Sequence, residues 1–272
     1  MAELPDLVVM NEHPGIGFLQ ADLSQAELRI AASLAFEDTM LAVYNADGDI
    51  HKTTGLRIAS KYALALYEKA EGDEKKKLLK DMRQKAKAAN FGLIYGGSFL
   101  VLQRIAKQDY NVIISEDEAR EVHRVFFALY PNLVSWHESV EAFVREHGYV
   151  VSPFGRVRHL PDIKKFYPDT REYSEIVRQA LNSPVQGACA DFLGQVWAYS
   201  AKEVRKRKLP ARVVLTVHDS LVWEGYSKVF GELREIQNNA VKELNDFHMG
   251  RWLGCPMKLD YSEGPHWGDL EE

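Results

Sequence analysis

Ile16-Gly17-Phe18-Leu19-Gln20-Ala21-Asp22-Leu23 runs directly into Ser24-Gln25-Ala26-Glu27-Leu28-Arg29. The first eight residues are apolar and rich in strand formers, which predicts a buried strand ending near Asp22. Ser24 and Glu27 have the spacing of a capping box, with Ser24 as N-cap and Glu27 at the third helical position. A helix is therefore expected through Leu28, Ile30, Ala31 and Leu34. Asp22 then occupies a strand-to-helix corner, where a carboxylate can face solvent from a rigid backbone.

Far downstream, Arg212 to Val217 and Leu221 to Glu224 flank His218-Asp219-Ser220, a pattern that predicts a β-hairpin with Asp219 at its tip. Between the two aspartates the chain is mostly helical. The segment from Tyr62 to Lys87 is heavily charged and reads as a solvated helical face. From Asp81 to Tyr95 the composition favours helix, with Gly96-Gly97 as the stop. Ser115 followed by Glu116-Asp117-Glu118 predicts an N-cap and a helix to about Tyr130-Pro131, with another over Leu133 to His147. Gly148 to Leu160 reads as a hairpin, Glu172 to Lys206 as helix interrupted at Pro184, Val229 to Phe247 as helix and Met257 to Tyr261 as a last strand. No repeat or low-complexity tract is present. Strands at both ends around a helical middle give an α+β fold.

Bulk properties set the bounds. A chain of 272 residues can bury a large core in one or two domains. Its 34 basic and 39 acidic residues give a net charge of −5, so binding to a polyanion must rely on local patches. Cys189 and Cys255 are widely spaced, which argues against a disulfide framework or a structural zinc and fits a reducing cytosol. With neither a basic-then-apolar leader nor a run of about 18 apolar residues, neither a signal peptide nor a membrane span is expected, and the expected location is cytoplasmic.

Aspartate is common in caps and hairpin turns, so Asp22 and Asp219 carry chemistry only if they converge. Two converging carboxylates would be costly without a cation between them. Phosphoryl transfer suits such a pair, because two hard cations about 3.5–4 Å apart clamp the attacking and leaving oxygens. Arg83, Lys87, Phe91 and Tyr95 recur at every fourth position. Each step drifts by about 40° around a helix, which leaves the four on one gently spiralling face. The cations at one end of that stripe could hold a triphosphate and the aromatics a base or sugar. An ordinary amphipathic helix would share much of the pattern.

Taken in order, these segments resemble the polymerase domain of family A DNA polymerases, the DNA polymerase I group. Asp22 to Arg29 is similar to that family's motif A, Arg83-x3-Lys87-x3-Phe91-Gly92-x2-Tyr95-Gly96 to motif B, and Val217-His218-Asp219-Ser220 to motif C. Asn182-Ser183-Pro184-Val185-Gln186-Gly187 and Asp49-Ile50-His51 resemble two further family segments, and the likeness runs from about Gly15 to Trp267. It implies a right-hand polymerase palm with an antiparallel sheet and helical fingers. Residues 1–45 and 173–272 would form the palm and 46–172 the fingers. The implied activity is templated transfer of deoxynucleotides from dNTPs to a primer 3′ end. Asp22, Asp219 and Lys87 would be catalytic, the two aspartates binding two magnesium ions that manganese can replace. Arg83, Lys87 and His51 would contact the triphosphate, and Phe91 would stack near sugar and base. Tyr95 would guard the template-base pocket. Glu27 would crowd the sugar and reject a 2′-hydroxyl, with Gln25 in the same segment. Arg178, Asn182 and Gln186 would touch primer and template, and His218 would approach the primer terminus.

Leu23 stands where the family has tyrosine, and Ser220 replaces the glutamate of motif C. With Met1 only 21 residues before Asp22, the thumb and exonuclease domain are expected to be absent. A second polypeptide, as in a split viral or bacterial polymerase, is then expected to supply the duplex grip and to meet the apolar Leu4, Leu7, Val8 and Val9. The alternatives are a noncatalytic polymerase-derived DNA-binding or assembly subunit, for which Ser220 is the first sign, and a nuclease, for which the triphosphate helix would have no purpose.

Overall fold

A computed structural model describes residues 15–168 and 170–270. The apolar segment at Leu4 to Val9 lies outside the described residues. The chain divides into two compact units, one of residues 1–26, 189–251 and 257–272, the other of residues 27–188 and 252–256.

The first unit is built on a four-stranded antiparallel sheet. Its strands are β1 (Ile16–Leu23), β4 (Ala211–Val217), β5 (Ser220–Tyr226) and β6 (Leu259–Gly264), in the order β4-β5-β1-β6. Along β1 the odd-numbered residues Leu19, Ala21 and Leu23 are fully buried, whereas Gln20 and Asp22 on the other face are half-buried. This is the period-two pattern of a sheet with one face against a core. Phe18 is the exception on the second face, where it clusters with Val222, Leu270 and Trp267. That cap covers one end of the face and leaves the Asp22 end more open. Leu221, Trp223, Phe192, Leu233 and Ile236 supply more of the unit's buried apolar interior.

The second unit is helical. It contains α2 (Asp38–Asn45), α3 (Ile50–Ile58), α4 (Lys61–Lys69), α5 (Gly72–Leu93), α6 (Phe99–Gln108), α7 (Glu116–Leu129) and α8 (Pro131–His147), together with all of α1 (Ala26–Ala35) after its first residue. The hairpin of β2 (Tyr149–Val151) and β3 (Val157–His159) follows. Helix α9 (Arg171–Arg207) begins here and ends in the sheet unit, which also holds α10 (Phe230–His248). Helices α3 and α5 cross closely at Gly55, where an added Cβ would lie 2.8 Å from the Met82 carbonyl oxygen. The returning segment at residues 252–256 is tied to α1: Arg29 Nη1 donates to Pro256 O at 2.8 Å, and Gly254 N donates to Ser33 Oγ at 3.0 Å. Among the described residues no helix is long and apolar enough to cross a membrane.

Several expectations need correction. Helix α1 starts at Ala26, and Gln25 before it adopts φ +51°, so Ser24 is not its N-cap. Glu27 sends its carboxylate to distant side chains, and tertiary hydrogen bonds outcompete the local box. Helix α5 takes in the charged run before Asp81, as expected of a solvated helical face, but stops at Leu93, which puts Tyr95 in the following turn. Pro184 does not interrupt α9, which continues for 37 residues. Proline removes one ladder donor, and the buried Ala180, Leu181, Val185 and Ala188 around it hold the helix through packing. The expected N-cap at Ser115 is present, its hydroxyl accepting from Glu118 N at 3.2 Å.

Candidate active site

In the sheet unit the two aspartates of the sequence reading converge. Asp22 lies opposite Ser220 in the β1–β5 register. One residue further, Leu23 N donates to the Asp219 carbonyl oxygen at 3.0 Å, which pins the end of β1 to the hairpin tip. The tip is a two-residue turn of His218 and Asp219, closed by the Val217–Ser220 pair. His218 takes φ +52°, an uncommon conformation for a non-glycine residue. Asp22 and Asp219 are both half-buried, and His218 is exposed. Two carboxylate donors at one sheet corner fit an oxygen-preferring divalent cation.

Ser220 is buried, and its hydroxyl donates to Val217 O at 2.9 Å. Asp260 faces Asp22 from the other side, in the β1–β6 register, which sequence reading missed because register is invisible in one strand. Among the described residues no group of three or more His, Cys, Asp and Glu side chains could hold a metal ion by itself. An ion here would therefore need water or substrate oxygens as well.

In the helical unit, Arg83, Lys87 and Phe91 lie along α5, half-buried at the edge of a core formed by Met82, Ala86, Ala89 and Leu93. Asp49 caps α3 by accepting from Lys52 N at 3.0 Å. Its other oxygen lies 2.9 Å from Arg83 Nε, an ion pair without the N–H alignment of a hydrogen bond. His51, the second residue of α3, is buried and stacks obliquely on Phe91 with ring centroids 5.9 Å apart. Burial, reinforced by Lys87, lowers the His51 pKa to about 4.

Tyr95 Oη donates to Glu27 Oε2 at 3.0 Å, and Gln186 Nε2 donates to Glu27 Oε1. The acidic residue of the first sequence segment is therefore held between the second and a residue of α9. Gly96, at φ +75°, and Gly97 make the turn that places Tyr95, since a Cβ on Gly97 would fall 1.9 Å from Gly92 O. Arg178, Asn182 and Gln186 follow one another at four-residue spacing along a face of α9. Arg178 and Asn182 are half-buried and Gln186 is exposed. Gln25 is half-buried in its left-handed conformation.

The family model of DNA polymerase family A matches residues 6–269. The chain belongs to DNA polymerase family A. Among its family A relatives, DNA polymerase I of Pseudomonas aeruginosa is 37% identical over 255 residues, covering 94% of this chain and 25% of that protein. DNA polymerase I of Geobacillus stearothermophilus is 30% identical over 251 residues, covering 92% of this chain and 26% of that protein. The chain thus spans about a quarter of the length of the curated family A relatives it matches. Among solved structures, the POL domain of Pol1 from M. smegmatis, in complex with DNA primer-template and dNTP, superposes with a TM-score of 0.72 at 25% identity. It covers 95% of this chain and 41% of that one.

The His51 shift has a direct consequence for stability. Its folded pKa, about 4, lies below the ordinary 6.5, so the unfolded chain binds the proton first. Stability is therefore full above pH 6.5 and falls as the pH drops toward 4, by on the order of 2–3 kcal/mol for this group. Urea denaturation across that range should show a steeper acid loss for the wild type than for His51→Gln. Parallel curves would contradict the assignment.

Proposed function

We propose that this chain carries out template-directed DNA synthesis, transferring deoxynucleotides from dNTPs to a primer 3′ end. The observation that carries the reading is the meeting of Asp22 and Asp219, fixed by the strand register and by the Leu23-to-Asp219 backbone bond. Asp22 and Asp219 would hold two magnesium ions, with manganese able to replace them. Bound there, the ions would supply charge neutralisation and alignment of the attacking and leaving oxygens. Residues 1–45 and 173–272, which include the four-stranded sheet, are read as palm, and residues 46–172, which include α3 to α8, as fingers.

Each side chain has a role in this reading. Lys87 and Arg83 neutralise the triphosphate, Arg83 exchanging its half-exposed partner Asp49 for phosphate oxygens. Neutral His51 donates a hydrogen bond to the same anion. Phe91 gives the sugar and base a flat wall, and Tyr95 stands at the template-base pocket. Glu27, held by Tyr95 and Gln186, presents a fixed obstacle at the 2′ position, with Gln25 beside it in sequence. Arg178, Asn182 and Gln186 contact primer and template, and exposed His218 approaches the primer terminus. With Ser220 hydrogen-bonded within its own hairpin, the metal pair relies on the two aspartates.

Primer extension is the test. Asp22→Ala and Asp219→Ala should each lower incorporation by at least a thousandfold, since losing a metal ligand removes several kcal/mol of transition-state stabilisation, while the circular dichroism spectrum stays unchanged. Activity within tenfold of wild type for both variants would sink the two-metal role. An inactive wild type with any duplex-gripping partner present would favour the noncatalytic DNA-binding or assembly subunit.

Sugar selection gives an independent readout. Glu27→Ala should raise the efficiency of ribonucleotide relative to deoxyribonucleotide incorporation by about tenfold or more, as steric exclusion of one hydroxyl is worth a few kcal/mol. An unchanged ratio would remove Glu27 from that role.

The proposal includes a second polypeptide that grips the duplex. Its support is the net charge of −5, which offers little general attraction to a polyanion. The chain alone should bind primer-template weakly at physiological salt and make short products. Long products under single-hit conditions from the isolated 272-residue chain would show that no partner is needed.

A further inference from the structure

Behind His51, next to the Arg83, Lys87 and Phe91 stripe of α5, lies a chain of buried polar groups, Asn90, Thr54 and Tyr130, with no part in the chemistry so far. His51 and Asn90 are buried, and Asn90 Nδ2 lies 2.9 Å from His51 Nδ1. Asn90 Oδ1 accepts from Thr54 Oγ1 at 3.1 Å. Thr54 Oγ1 also lies 2.7 Å from the Tyr130 hydroxyl and 2.8 Å from the Ile50 carbonyl oxygen. Thr54 and Tyr130 are fully buried. The network joins α3, α5 and the residue that ends α7.

We propose that Asn90, oriented by Thr54 and Tyr130, is a positioning residue that fixes the neutral His51 ring in the tautomer with its proton on Nε2. An amide –NH2 donates and cannot accept. While Asn90 Oδ1 is held by the Thr54 hydroxyl, its nitrogen is the atom facing His51, so Nδ1 must be the acceptor and carry no proton. In a neutral imidazole the proton then sits on Nε2, because the bond made by one ring nitrogen sets the state of the other. Tyr130 completes the order: the single Thr54 proton is shared in a three-centre bond between Ile50 O and Asn90 Oδ1, so the 2.7 Å contact is made by the Tyr130 proton. A charged His51 would oppose an N–H on Nδ1 to the N–H of Asn90. Burial disfavours that charge most, and Lys87 and Arg83 act in the same direction against the opposing pull of Asp49.

Nε2 has no hydrogen-bond partner among the described residues. The functional meaning of the tautomer rests on the reading of His51 as a triphosphate contact. Nε2–H offers an anion a donor, whereas the other tautomer would offer it a lone pair. Turned over, the Asn90 amide would enforce that second state, so the orientation of one buried amide decides whether His51 attracts or repels the nucleotide.

Nitrogen-15 NMR of the 272-residue chain, labelled at histidine, tests this directly. His51 is assigned by loss of its signals in His51→Gln. At neutral pH the wild type should show an unprotonated Nδ1 and a protonated Nε2. Asn90→Asp should move the proton to Nδ1 and shift the His51 titration upward, because a carboxylate accepts there. The shape-conserving Tyr130→Phe should leave the chain folded and move the ring signals toward a mixture of tautomers. A wild-type ring protonated on Nδ1 would overturn the proposal. So would ring signals unchanged in both Asn90→Asp and Tyr130→Phe. None of these readouts needs DNA synthesis, so a chain that stays inactive with a duplex-gripping partner present would refute the polymerase reading without touching this one. Adding dATP with magnesium should move the Nε2 signal; an unmoved signal would overturn the link to the triphosphate.

Discussion

One backbone hydrogen bond, from Leu23 N to the Asp219 carbonyl oxygen, is the constraint on which the meeting of Asp22 and Asp219 depends. It extends the β1–β5 ladder by one step past the Asp22–Ser220 pair and sets the hairpin tip against the end of β1. A slip of one residue would carry Asp22 to the packed face occupied by Leu19, Ala21 and Leu23. Burial of those three side chains is what forbids the slip, so the position of the Asp22 carboxylate is determined by apolar residues on the opposite face.

A different kind of constraint governs the helical unit. Gly55 lets α3 approach α5 at a distance that any Cβ would prevent, and His51, one turn earlier on α3, is thereby brought under Phe91. The polar chain from Tyr130 through Thr54 and Asn90 then satisfies groups that would each be costly if left unpaired in that interior. Close packing and polar satisfaction act together. The first fixes where the imidazole lies, and the second fixes which nitrogen carries the proton. Glu27 is treated similarly, since two donors hold a carboxylate that would otherwise sample many rotamers.

Much of this was legible in the chain. A short apolar run of strand formers identified β1, apolar or alternating runs around His218-Asp219-Ser220 the β4–β5 hairpin, Ser115 marked the start of α7, and the every-fourth-position spacing of Arg83, Lys87 and Phe91 placed them on one side of a helix. The misreadings share a cause. The Ser24–Glu27 box and the interruption at Pro184 were judged from local signals, and in both cases longer-range packing or hydrogen bonding outweighed a local preference of about 1–3 kcal/mol. Asp260 and Asn90 were missed because each matters only through a partner distant in sequence.

The sequence by itself determined the family, the order of elements and the identity of the charged and aromatic groups, because residue type and spacing along one strand or helix are local properties. The tertiary structure alone decided which groups meet. Register across three strands set Asp22 against Ser220 and Asp260, and helix crossing at Gly55 brought His51 to Asn90. Those pairings depend on burial summed over many apolar side chains, a quantity that no short segment contains.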